Sequence, residues 1–356
     1  MGRVRAPALP RPTLPHGDAF WQKGLSRSAT IVILSVAAGL AATLLLPKLV
    51  AWMPYDYTIY IEGAGLIRDG QDPYAVLPYW YPLPVVLFTT LPLSFLPDNF
   101  AWAFAFIPLG LLHIRYGRNT LLWWLFFPLL INVAYAQMEG WLVLPLFWLL
   151  EDQNSMASLG ALALMFKPAY IMFLLPYRIW QWLSRRHWRK LAVLFGLGAF
   201  MVACAFLIDP AWPIHMLSAL ARRADNPELA ARNMTLWPLL QRGVAGCAVF
   251  VGLFALFMWL IFPLVRLQPA HGHILLAASL LFFPNGLNPV SSMMVMPMAH
   301  TRREIVTLVT ISWVAAGLDV LTRGWGGSYQ LIVFVALYLT RRRYGNSAVP
   351  VQEANS

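Results

Sequence analysis

Asp56 and Tyr60 stand four residues apart in MPYDYTIYIEGAGLIRDGQDPYAVLPYWYPLP, the stretch from Met53 to Pro84. The same stretch holds Glu62, Asp69 and Asp72. Asp56 comes just after the first long apolar segment. A carboxylate beside a low-dielectric boundary is costly unless it is paired or put to use. Lys167, in LALMFKPAY, poses the same problem with the opposite sign. A lysine inside an apolar stretch needs a partner, an anion to hold, or a route by which its ammonium snorkels to the interface. Arg222, Arg223, Arg232 and Arg242 cluster in the polar stretch 209–242, where they can hold a phosphate or anionic lipid. Carboxylate, cations and rings are the groups with chemistry to offer. The remainder of the chain must position them.

That remainder is apolar. Of 356 residues, 59% are hydrophobic and 12% charged, which excludes an ordinary soluble domain. Several apolar segments approach the roughly 20 residues needed to cross a bilayer. None shows the ten-residue alternation of an outer-membrane barrel strand. The expected fold is an all-α polytopic integral membrane protein. The net charge of +11 is better read as Lys and Arg gathered in cytoplasmic loops than as a nucleic-acid footprint. Cys204 and Cys247 each lie in an apolar stretch and support neither a disulfide framework nor a metal site. The basic, Pro-rich stretch 1–27 reads as a cytoplasmic tail and not as a signal peptide.

The expected organisation is that tail, one transmembrane domain over 28–340, and a second cytoplasmic tail over 341–356. Placing the basic blocks at 115–118, 178–190, 266, 302–303 and 341–343 in the cytoplasm sets the orientation. The parity holds if Val85–Pro97, interrupted by Pro92 and Pro97, does not span but lies as a broken or re-entrant element. Both termini are then cytoplasmic. Most carboxylates fall on the outer face, in a first outer loop over 48–84 and a second over 209–242. Lys167-Pro168 and Asn288-Pro289 fall near the outer face, where helices break.

Within the first loop, Asp56, Tyr60, Gly63 and Ile67 recur at helical spacing and share one face. Gly63 and Gly65 would admit a close backbone neighbour, and Gly70 suits a helix end. Asp72-Pro73 favours a turn. The rings of Tyr79, Trp80 and Tyr81 suit an aromatic belt at headgroup depth.

These residues resemble the first outer loop of the GT-C glycosyltransferases, and most nearly glycosyltransferase family 87, the polyprenyl-phosphate-mannose-dependent mannosyltransferases. The resemblance rests on Asp56, Tyr60, Gly70, Asp72-Pro73-Tyr74, Tyr79-Trp80-Tyr81-Pro82, and the run from Pro92-Leu93 to Leu96-Pro97. It continues more weakly. Gln137 follows Ala136 where the family has Gly-Gln. Lys167-Pro168 matches a Lys-Pro near a helix end, and Asn233 and Thr235 match an Asn-polar-Ser/Thr element. Asn288-Pro289-Val290-Ser291 continues into Ser292-Met293-Met294, where the family's Trp and His are absent.

The resemblance implies a bundle of about 10–12 transmembrane helices in the plasma membrane. It implies transfer of a sugar, most often mannose, from a polyprenyl-phosphate donor to a lipid or glycan acceptor on the outer face. Asp56 would be the general base, and Lys167 with the outer arginines would hold the leaving phosphate. Gln137 and Glu139 would hydrogen-bond sugar hydroxyls, help the base, or simply sit at helix ends, and Asn233 would meet substrate. Tyr60, Tyr79, Trp80 and Tyr81 would line the sugar or isoprenoid. No metal or other cofactor is expected. The sequence has no Gly-rich nucleotide loop, and Asp56 is followed by Tyr57, so no Asp-x-Asp holds a nucleotide sugar through metal. His113, His271 and His273 fall on the cytoplasmic side. The alternative is a polytopic transporter or lipid flippase of the cell envelope. That reading is disfavoured by polar groups clustered at one face and by the lack of an internal repeat.

Overall fold

The computed structural model describes residues 55–76, 81–98, 100–224, 234–283, 289–322 and 326–346, with scattered positions between 33 and 44. Both tails, most of the first apolar segment, and the site candidates Tyr79, Trp80, Arg232 and Asn233 lie outside the described residues, as does Asn288.

Every regular element among the described residues is helical. The main helices are α1 (Tyr55–Arg68), α2 (Leu83–Thr89), α3 (Phe100–Tyr116), α4 (Phe127–Tyr135), α5 (Glu139–Leu150), α6 (Met156–Leu164) and α7 (Leu174–Ser184). They continue as α8 (Trp188–Ile208), α9 (Trp212–Ala224), α10 (Gly243–Ile261), α11 (His271–Phe282), α12 (Arg302–Leu321) and α13 (Gln330–Asn346). Three of them, α8, α10 and α12, are long and apolar enough to cross a membrane. At 1.5 Å per residue they reach roughly 28–32 Å, close to the hydrocarbon thickness of a bilayer.

Proline explains why many other apolar segments are broken. It has no N–H to give and is favoured at a first helical turn. Pro84 and Pro128 open α2 and α4, while Pro92, Pro168 and Pro289 open 3₁₀ turns. Val85–Pro97 resolves into α2 followed by the 3₁₀ turn Leu91–Phe95. At seven residues, α2 covers only about 10 Å, so this segment does not form a spanning helix, as its two prolines foretell.

Ion pairs and hydrogen bonds sort the helix ends into two poles. At one, Lys167, just beyond α6, meets Glu139 at the start of α5, so α5 and α6 run antiparallel. At the other, Arg115 meets Glu151, Lys190 meets Asp152, Arg178 of α7 donates to the Leu150 carbonyl, and Arg343 meets Glu304. The basic blocks around 115, 178–190 and 341–343 therefore collect at a single pole, opposite the first loop.

A close helix contact joins α5 and α6. Pro145 lies inside α5, and a Cβ built on Gly160 would stand 2.4 Å from the Pro145 carbonyl oxygen. No side chain larger than hydrogen fits without moving backbone. Gly160→Ala is expected to destabilise the protein by about 1–3 kcal/mol, read as a lower melting temperature in detergent. An unchanged melting temperature would mean that α5 and α6 lie farther apart.

Candidate active site

The first loop folds into the structure its local chemistry dictates. In α1 the residues Tyr57, Tyr60, Gly63, Ala64 and Ile67 are buried, the stripe that helical spacing predicts. Asp56 is half-buried in the first turn, where a carboxylate also faces the positive end of the helix dipole. Gly70 ends the helix at φ +71°, a left-handed conformation that glycine takes without steric cost. Gln71 N donates to Leu66 O and Gly70 N to Ile67 O, a Schellman closure. Gly65 does not provide the expected close approach, because nothing stands within 4 Å of the space a Cβ would fill. Asp72 shapes the turn that follows, its Oδ1 accepting from Tyr74 N at 2.9 Å. Glu62 and Asp69 are exposed, and Asp69 makes only a surface pair with Arg68.

A second element, α9, holds this loop in place. Arg222 of α9 donates to the Tyr74 carbonyl at 2.6 Å. His215 lies 3.5 Å from Asp72 and 3.0 Å from Asp209. The Tyr74 hydroxyl donates to Tyr81 O at 2.6 Å, which folds the Pro-rich end of the loop back on itself. Arg222 is thus committed to a backbone carbonyl while remaining exposed. Arg223 lies in the same helix, and Arg242 precedes α10. Thr235 is buried, its carbonyl held by Gln330 Nε2 at 2.8 Å.

The turn between α4 and α5 brings in the next group. Ala136 has φ +48°, a left-handed conformation costing a residue with a Cβ roughly 1–2 kcal/mol. Its strain turns the chain so that Gln137 N donates to Asn132 O and Gly140 N to Asn132 Oδ1. Met138 N donates to the Tyr60 hydroxyl at 3.3 Å, tying α1 to the head of α5. Gln137 and Glu139 are both buried.

Lys167 completes the cluster. It precedes the 3₁₀ turn Pro168–Ile171, in which residues three apart eclipse, so Lys167 and Tyr170 project to the same side. Both donate to Glu139 Oε1, at 2.5 Å and 2.9 Å. Glu139 is fully buried and the Lys167 side chain only 18% exposed. The Tyr170 hydroxyl also lies 2.9 Å from Ser291 Oγ. The Lys167 ammonium stands 6.0 Å from the Tyr81 ring centroid, and Tyr81 stacks on Phe166 at 4.5 Å. Tyr60 packs edge-on against Tyr81 at 5.4 Å and Phe166 at 5.8 Å.

Asp56 belongs electrostatically to this group. Burial raises the pKa of Tyr60, and Tyr81, Asp56 and Glu139 add to the rise. Burial likewise raises Tyr81, with Lys167 opposing and Asp56 and Glu139 reinforcing. Both phenols therefore stay protonated as donors.

Five of the candidates, Asp56, Tyr60, Tyr81, Glu139 and Lys167, converge at one pole from positions up to 111 residues apart. Two differ in character from expectation. Lys167 is not a solitary cation but half of a buried ion pair. Tyr60 is a fully buried anchor, so its contribution is to hold α1 against α5 and not to touch a ligand in this conformation. Tyr170 and Ser291 are additions. The signal for Tyr170 was its i+3 spacing from Lys167 in KPAY. Ser291 gave none, because its partner is 121 residues away. Comparison with family models, curated proteins and solved structures found no match.

Proposed function

We propose that this chain is a multi-pass membrane glycosyltransferase with a GT-C-like bundle. It moves a sugar, mannose being the expected one, from a polyprenyl phosphate to a lipid or glycan acceptor at the outer face of the plasma membrane. Both termini are cytoplasmic in this reading. The carrying observation is the convergence of Asp56 with Tyr60, Tyr81 and the Lys167–Glu139 pair at the pole opposite the basic blocks. A lone solvated loop would have no reason to assemble them. Apolar residues turned outward on the long helices support a lipid surround. Leu207 is 86% exposed, Val244 89% and Leu321 80%, a pattern costly in water.

The chemistry is a displacement at the anomeric carbon. The acceptor hydroxyl oxygen forms the new bond as its proton passes to the Asp56 carboxylate. The bond between the anomeric carbon and the phosphate oxygen breaks, and the polyprenyl phosphate leaves with the electron pair. Lys167 spends one ammonium hydrogen on Glu139 and keeps others for the phosphate oxygens. Arg222, exposed at the rim, adds positive charge. Tyr81, beside Lys167, offers a ring face to the sugar or isoprenoid.

The direct test presents membranes bearing the chain with labelled polyprenyl-phosphate mannose, polyprenyl-phosphate glucose and GDP-mannose. Label is expected in lipid or glycan product from a polyprenyl-phosphate donor and not from the nucleotide sugar. Transfer from neither polyprenyl donor would remove the reading.

A further inference from the structure

A second cluster of buried polar groups lies at the opposite pole and plays no part in that chemistry. Its centre is Arg178 in α7, which is 8% exposed. Arg178 donates to Gln181 Oε1 at 2.7 Å and to the Leu150 carbonyl. Its Nε is buried and meets no hydrogen-bond partner. Among the described residues, none of the ion pairs includes Arg178. The surrounding acids are already claimed. Glu151 is taken by Arg115, Asp152 by Lys190 and Trp182, and Glu304 by Arg343 and the backbone N–H groups of His300 and Thr301.

A guanidinium is among the costliest groups to bury without an opposite charge. Here a carbonyl and an amide oxygen are its only close partners. Asp152 offsets its charge electrostatically without forming an ion pair with it, and Arg185 opposes it. Arg178 Nη2 packs against α11 at Gly272, 3.4 Å from where a Cβ would stand. The next residue, His273, is buried, with its ring 6.0 Å from that of the exposed His300. Arg343 reaches into the same region, donating to the Met298 carbonyl at 2.8 Å. His273 sits at the base of α11, before its apolar run begins at Ile274. Burial, then the His300, Arg343 and Arg178 charges, push the His273 imidazole down to about 3.

We propose that Arg178, His300 and Arg343, with His273 packed beside them, form a binding site for a phosphate group at the pole opposite the candidate active site. A guanidinium suits phosphate as a fixed positive charge with several donors, and Arg178 Nε is the donor left over here. The exposed His300 imidazole can add a donor, whereas the His273 N–H is already given to the Pro269 carbonyl. The phosphate comes either from an anionic phospholipid headgroup, which basic pockets between membrane helices bind, or from solution. The site is independent of the glycosyltransferase reading.

The test uses the full chain, in two arms. In detergent, melting is followed with inorganic phosphate against chloride at matched ionic strength. In nanodiscs of phosphatidylglycerol or phosphatidylcholine, retained lipid is counted by native mass spectrometry. A phosphate-dependent rise in melting temperature assigns a free anion, and selective retention of phosphatidylglycerol assigns a headgroup. Either response is expected to weaken at least tenfold in apparent affinity in Arg178→Gln, and less in His300→Gln. His300 is exposed, so its variant keeps the test valid if Arg178→Gln fails to fold. Wild-type protein that responds in neither arm, or variants that respond as the wild type does, would overturn the site.

Discussion

Asp56→Asn is expected to lower the rate of sugar transfer by about 10²–10⁴-fold, the usual contribution of a positioned general base. The substitution keeps size and hydrogen-bonding capacity but removes the proton acceptor. Asp56 is half-buried at the head of α1, where its charge acts on Tyr60 and Tyr81. The loss should fall on kcat, with the KM for the donor little changed, because the proton moves only in the transition state. Asp72→Asn provides the comparison. Asp72 Oδ1 accepts from Tyr74 N to close a turn, and an asparagine carbonyl makes that turn equally well. It should retain near-wild-type activity. Both variants should elute as the wild type does and melt within a few degrees of it. Full activity in Asp56→Asn would eliminate Asp56 as the base while leaving the fold untouched.

The contrast between the two aspartates shows what a sequence makes legible. Local physics was readable. The buried stripe of α1, the left-handed Gly70, the turn at Asp72 and the broken segment 85–97 all follow from periodicity or from the backbone limits of Gly and Pro. Ala136 was visible too, before Gln137. Its meaning was not, until the residue proved to sit at φ +48°. The pairing of Lys167 with Glu139 was hidden because it depends on how α5 packs on α6. That packing turns on a single Gly160 against Pro145, a contact with no periodic signature. Helix count was hard to read for a related reason. An apolar run has the same composition whether it spans or breaks, and proline at an N-terminal turn decides which.

The Lys167–Glu139 pair carries the second large effect. A buried ion pair contributes little beyond an apolar pair of the same shape, because both charges must first leave water. Breaking it is another matter. Lys167→Met strands a fully buried carboxylate whose Oε1 keeps only Tyr170 and whose Oε2 has no partner. The expected cost is about 3–5 kcal/mol. Glu139→Gln leaves the lysine 18% exposed, so its ammonium can still reach water, and the cost should be smaller. The double variant Lys167→Met with Glu139→Gln removes both charges and should recover much of the loss in the lysine variant. A thermal unfolding cycle in detergent measures the coupling, and additive losses would show that the two groups do not interact. Activity separates structure from chemistry. If Lys167 also holds the leaving phosphate, the double variant will be stable yet slow. If it acts only as a strut between α5 and α6, recovered stability will bring recovered transfer.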